Sequence, residues 1–131
     1  MTEPVGLYHV TLKVSHGDMP GAQTLNLDLA VSAPTGTVHG TATITQALPP
    51  PYGIIHIPVH GQIYHTGFGQ DTLLVHLIGQ YVVSVPPPAI GSYLAHFSAG
   101  LAVDKSWNGK GSYEYGNHIV GDCKVTNTSP K

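Results

Sequence analysis

Nine histidines and a lone cysteine, Cys123, are the residues with the most obvious chemical potential in this 131-residue chain. The stretch VHGQIYHTGFGQDTLLVH, residues 59–76, holds His60, His65 and His76, a density that raises metal binding as the first chemistry to test. Distance decides it. His56 and His60 are four residues apart, about 13 Å along an extended chain. Zinc holds its donors about 2 Å away, so these two cannot share an ion. Chelation requires neighbours on adjacent strands, whose Cβ atoms lie about 5 Å apart when directly opposite. A register that pairs Tyr64 with Thr72 sets His60 opposite His76, which makes those two the candidate metal ligands. A shift of two residues separates them, and no carboxylate shares that face. The expectation is a wet sheet face with no native metal or other cofactor.

Catalysis finds less support. Cys123 has no local signature of a nucleophile and reads as a small, partly buried residue. The seven acids are scattered, with no close pair for general acid/base work. GFGQD, residues 67–71, is too short to cradle a phosphate and precedes no helix, so a hairpin turn is expected there. No catalytic residue is assigned.

The elements that position these residues are strands. Leu25, Leu27, Leu29 and Val31 alternate with Thr24, Asn26, Asp28 and Ala30, a period of two that recurs along the chain. It predicts strands at Leu7–Val14, Thr24–Ser32, Thr37–Gln46, Ile54–Tyr64, Thr72–Val85, Ser92–Val103, Gly111–Val120 and a short Asp122–Thr126 after a kink at Gly121. Glycine, proline and asparagine clusters separate them, and Asn108-Gly109 is a strong type I′ turn signal. Links this short join antiparallel neighbours, because a parallel crossover needs a dozen or more residues. The fold class is therefore all-β: an antiparallel meander of seven to eight strands closing as a small barrel, with a two-sheet β-sandwich as the alternative. The whole chain, 1–131, reads as a single all-β domain.

Alternation also sorts the side chains. Tyr8, Val10, Leu12, Leu25, Leu27, Leu29, Val31, Ile44, Ile55, Ile57, Val59, Ile63, Leu73, Val75, Leu77, Tyr81, Tyr93, Phe97, Leu101 and Tyr113 form the expected core. His9, His39, His56, His60, His76, His96 and His118 fall on the opposite face, and His16 and His65 in or beside turns.

VHGTATITQALPPP, residues 38–51, and VHLIGQYVVSVPPP, residues 75–88, share V-H, nine intervening residues and three prolines. Either two strands converged by chance or a strand–proline loop–strand hairpin was duplicated. Proline lacks the N–H that a ladder needs, so each tract ends its strand and discourages edge pairing. That is the preferred reading of both tracts. The alternative is a rigid rim that meets a partner, made by Pro49, Pro50, Pro51, Tyr52, Pro86, Pro87, Pro88 and Ile90, with His16 and Met19 as further candidates at that end. Trp107, beside the turn, is either a lid over one end of the core, the commoner case, or an exposed aromatic contact.

Composition narrows the partners. There are five lysines, no arginine and seven acids. A nucleic-acid binder normally carries a Lys/Arg footprint, so nucleic acid is not an expected partner. A single cysteine rules out an intrachain disulfide. The start MTEPVGLYHVTLKV lacks the basic and apolar regions of a signal peptide, and no apolar run approaches the length of a spanning helix. A cytoplasmic location is the resulting expectation, with leaderless export as the alternative.

The segments TATITQALPPPYGIIHIPVHGQIYH and SWNGKGSYEYGNHIVGD resemble a family of small, uncharacterised proteobacterial proteins classed only as a domain of unknown function. The resemblance covers most of the chain. It implies a bacterial origin and an all-β fold, and it supplies no catalytic residues.

Three functions are compatible with these features. The first is a non-enzymatic binding or interaction module that takes an unknown protein or a small apolar ligand at the proline rim or the barrel mouth. The second is a metal protein or small barrel enzyme built on the histidine face. The third, an outer-membrane barrel with its His/Thr/Gln face turned inward, lacks an export signal and strong aromatic girdles. One behaviour follows from composition alone. The formal charge is −2 with neutral histidines, and protonating all nine brings it to +7. Electrophoretic mobility is expected to reverse sign on mild acidification, with a solubility minimum at the crossing.

Overall fold

The computed structural model describes residues 7–16, 23–32, 34–46, 53–65, 73–84, 91–116 and 118–129. Eight strands run in order: β1 (Leu7–Ser15), β2 (Thr24–Ser32), β3 (Thr37–Thr45), β4 (Ile54–His65), β5 (Leu73–Ser84), β6 (Ser92–Val103), β7 (Gly109–Tyr115) and β8 (His118–Asn127). Each pairs antiparallel with the next, and β8 pairs with β1, so the sheet closes as a barrel and not as a sandwich.

The alternation of side chains drives the closure. Leu25, Leu27, Leu29 and Val31 on β2 are all buried, with Val10, Leu12 and Val14 from β1 and Leu73, Val75 and Leu77 from β5 beside them. Burying one such leucine contributes about 2 kcal/mol. The His/Thr/Gln face points out and the apolar face fills the interior, the reverse of the arrangement an outer-membrane barrel of the third kind requires. No helix of the described residues is long and apolar enough to cross a membrane.

The strands are strongly tilted. One hydrogen-bonding row starts near the beginning of β1 and passes through His9, Ala30, His39, His60, Ile78, Ser98, Glu114 and Ile119. It reaches β8 near that strand's first residues, at the opposite end of the barrel from His9. Such stagger is what closing eight strands demands, and it leaves an interior wide enough for side chains or one small ligand.

Inward-facing glycines permit the curvature. A Cβ on Gly40 would overlap the Asp28 carbonyl oxygen, and one on Gly61 would overlap the His76 carbonyl oxygen. At these two positions the neighbouring backbone occupies the space a side chain would take.

The end where β1 begins and β8 finishes is plugged. Trp107 is 5% exposed and meets Tyr8 edge-on at 6.4 Å, so it is a lid and not an exposed contact. It adopts φ 64° in a turn that Asp104 organises. The Asp104 carboxylate accepts from the amides of Ser106 (2.8 Å) and Asn108 (3.1 Å). The expected Asn108-Gly109 hairpin turn is therefore absent: an Asx-type turn forms upstream, and Gly109 is already strand. The Asn108 side chain instead accepts from the Asn127 amide at 2.9 Å, tying the turn to β8.

Three further expectations are corrected. The predicted strand Gly111–Val120 is broken at Gly116, which has φ 56°, so that β7 ends at Tyr115 and β8 begins at His118. A bulge near Gly121–Asp122, with Asp122 at φ 53°, shifts the β7–β8 register between Gly111 and Tyr113. The extra residue reverses the faces before it: Ile119 points out, 76% exposed, and His118 lies directly opposite Tyr115. Tyr93, expected in the core, is 58% exposed because it sits at the end of the barrel, beyond the last full layer of side chains.

The two V-H…PPP segments occupy consecutive hairpins and keep their faces, but not their pairing. His39 pairs with His60, whereas the corresponding His76 pairs with Gly100.

Two glycine variants test the curvature argument. Gly61→Ala is expected to destabilise by more than 1 kcal/mol, on the order of an overpacked core, while Gly100→Ala, which meets open space, is expected to stay within about 0.5 kcal/mol of wild type. Urea midpoints compare them. Leu27→Ala, by removing a 1% exposed side chain, is expected to cost about 2–5 kcal/mol in the same assay.

Candidate functional site

Two places concentrate groups capable of recognition. The first is the end of the barrel opposite Trp107. Strands β3 and β5 finish there and β4, β6 and β8 begin there, so the strands flanking both proline tracts meet at this end. Pro49, Pro50, Pro51, Tyr52, Pro86, Pro87, Pro88 and Ile90 themselves lie outside the described residues, as do Met19 and the Gly67–Asp71 segment. Trp107, the remaining candidate contact, is at the other end.

Aromatic side chains line the inner wall below this end. Tyr113 stacks on Tyr115 with centroids 6.1 Å apart and planes 18° apart, and Phe97 lies 6.5 Å from Tyr113. His118, brought round by the bulge, lies 5.1 Å from Tyr115. The Tyr115 hydroxyl donates to Gln46 Oε1 at 3.0 Å. Tyr113 differs: it is 2% exposed, and its hydroxyl has no hydrogen-bond partner among the described residues. Burial pushes the phenol well above its usual range, with Cys123 and Tyr115 adding to the effect. Burial likewise raises Tyr115 and Tyr81, the former further raised by Tyr81 and opposed by a hydrogen bond to Gln23, the latter further raised by Tyr93. Cys123 is buried beneath them, and its thiol is pushed up by burial and by Asp122. A thiol held in its neutral form is a poor nucleophile.

The second place is an outer groove of about 430 Å³ over β3, β4 and β5. His39, His60 and His76 line it with Gln62, Tyr64 and Ile78. The register corrects the sequence-based pairing. Tyr64 pairs with Leu74, not Thr72, which lies outside the described residues; His60 then faces Ile78, and His76 faces Gln62. His60 and His76 are therefore diagonal, about 7–8 Å apart at Cα. A two-residue slip leaves every side chain on its original face, so alternation could not detect it. The direct partner of His60 is His39 on β3. That pairing is invisible to spacing, since 21 residues separate the two in sequence. No group of three His, Cys, Asp or Glu able to hold a metal occurs among the described residues.

β5 adds a feature that the sequence face assignment passed over. Its outer face carries Leu74, Ile78 and Val82 between His76 and Gln80, each of the three at least 42% exposed.

The geometry defines a class: a closed eight-stranded antiparallel barrel, plugged by tryptophan at one end and lined by tyrosines at the other. Comparison with known families places it further. The chain belongs to the family described as a domain of unknown function, DUF1842, which matches residues 5–119, from before β1 to the first residues of β8. A comparison with curated proteins gave no match.

The raised phenols and thiol have a pH consequence. A group whose folded-state pKa exceeds its unfolded value favours the fold below the unfolded value and loses that contribution as pH rises through the folded one. Stability is therefore expected to hold up to about pH 8.5–10, the ordinary range for Cys and Tyr, and to fall above it. Urea midpoints at pH 7.5 and 10.5 check this, with Tyr113→Phe expected to lessen the fall.

Proposed function

We propose that this protein is a non-enzymatic binding module that takes a small, largely apolar ligand bearing one hydrogen-bonding group at the tyrosine-lined end of the barrel. The observation that carries the reading is the Tyr113 hydroxyl. Leaving a buried hydroxyl unpaired costs about 1–3 kcal/mol. A chain that needed only packing there would do better with phenylalanine, as it has at Phe97. The surroundings suit such a ligand: stacked aromatic walls, few polar groups, and Gln46 and His118 at the rim. An eight-stranded barrel has room for one small guest.

A matched pair of probes tests the reading. p-Cresol offers a ring and a hydroxyl, and toluene the ring alone. p-Cresol is expected to raise the melting temperature in a saturable way, since a ligand at a hundred times its dissociation constant adds about 2.7 kcal/mol. Toluene is expected to do less. In Tyr113→Phe the preference for p-cresol should vanish, while the unliganded variant should be more stable than wild type by roughly 1 kcal/mol. A p-cresol response of equal size in wild type and Tyr113→Phe, or no response to either probe, would refute the proposal.

A further inference from the structure

The outer groove supports a separate inference on a different face. Five described histidines have a neighbour that occupies the ring. His9 pairs with Asp28, His16 Nδ1 meets the Gly121 carbonyl at 2.8 Å, and His56 Nδ1 meets Thr43 Oγ1 at 3.2 Å. His96 Nδ1 approaches Gln80 at 3.5 Å, and His118 packs on Tyr115. His39, His60, His65 and His76 have no such neighbour among the described residues, and of these His39, His60 and His76 line one groove. What sets the three apart is that unpartnered imidazoles share one groove, whereas His65 lies outside it.

Within it, His39 and His60 form a directly opposed cross-strand pair. Cβ atoms so related lie about 5 Å apart. Two nitrogens on one tetrahedral zinc, each about 2.0–2.1 Å from the metal, are about 3.3 Å apart. Imidazoles rooted about 5 Å apart can converge to that separation. His76 is displaced diagonally by two residues, and no third protein donor joins the pair within the described chain. One chain therefore supplies two of the four donors that zinc prefers.

We propose that His39 and His60 are half of a zinc site, completed by the same two residues of a second copy of this chain. Four imidazoles then surround one ion on a twofold axis, the commonest symmetry of soluble homo-oligomers. The groove's rim fits a second copy. Ile78, opposite His60, and Tyr64, farther along the groove, are 43% and 56% exposed and would be covered by their counterparts. Among the described residues the groove's lining carries no carboxylate or lysine to repel a like surface. Imidazole donors select zinc, copper or nickel over magnesium and calcium.

Sedimentation velocity of the full, tag-free chain at pH 8, with and without zinc chloride, tests this. Zinc is expected to double the mass from 13.8 kDa, at one zinc per two chains by elemental analysis, and chelation with EDTA should restore the starting mass. His39→Asn and His60→Asn should each abolish the doubling. His56→Asn and His96→Asn, which alter the same outer face elsewhere, should leave it intact. Near-ultraviolet circular dichroism confirms that each variant is folded. Zinc bound one per chain at unchanged mass, a dimer that forms without zinc, or doubling that survives His39→Asn would each overturn the proposal.

Discussion

Closure of the sheet is the constraint on which everything else depends. Strand β1 is held on one side by β2 along its full length and on the other by β8 over Leu12–Ser15. The Thr128 amide donates to the Thr11 carbonyl at 2.8 Å, and the Thr11 amide donates to Ser129 Oγ at 2.8 Å, extending the seam past the end of β8. A closed sheet leaves no edge to template aggregation, and it isolates an apolar interior from the outer face that meets water. The side-chain alternation acquires its meaning only because the ring is complete.

Closure also forces local exceptions, and the recognition features lie at them. Strands wrapped this tightly bring backbones into contact where Gly40 and Gly61 stand. The bulge in β8 brings the exposed His118 onto Tyr115 at the rim and turns Ile119 outward. The two ends are treated differently. One is sealed by Trp107, held in an unfavourable backbone conformation by the Asp104 turn and by packing on Tyr8. At the other, a buried hydroxyl is left without a partner among the described residues. Strain on one side and an unsatisfied polar group on the other are costs that packing alone does not explain.

Most of the architecture was legible in the chain because alternation reports directly on which face is buried. The bounds of β2 and β6 follow from it, as does the outward direction of six strand histidines. The errors share a cause. Tyr93 obeys the parity of the core but lies past the last covered layer, and parity says nothing about height along the barrel. His118 was placed on the face opposite Tyr115 yet pairs with it, because a single inserted residue reverses parity, and Gly121 signalled a kink without its consequence. Pairing His60 with His76 failed because a slip of two residues preserves every face. The glycines held the missing information: Gly61 must sit where a neighbouring backbone presses closest.

By itself, then, the sequence determined the class of fold, the composition of the interior and the outward placement of most imidazoles. These depend on a two-residue periodicity that any extended chain must express. Tertiary structure alone decided which histidine meets which, where the barrel is plugged, and that the Tyr113 hydroxyl is left facing an apolar interior. Those facts depend on register and on closure, which are set by contacts between residues far apart in the chain.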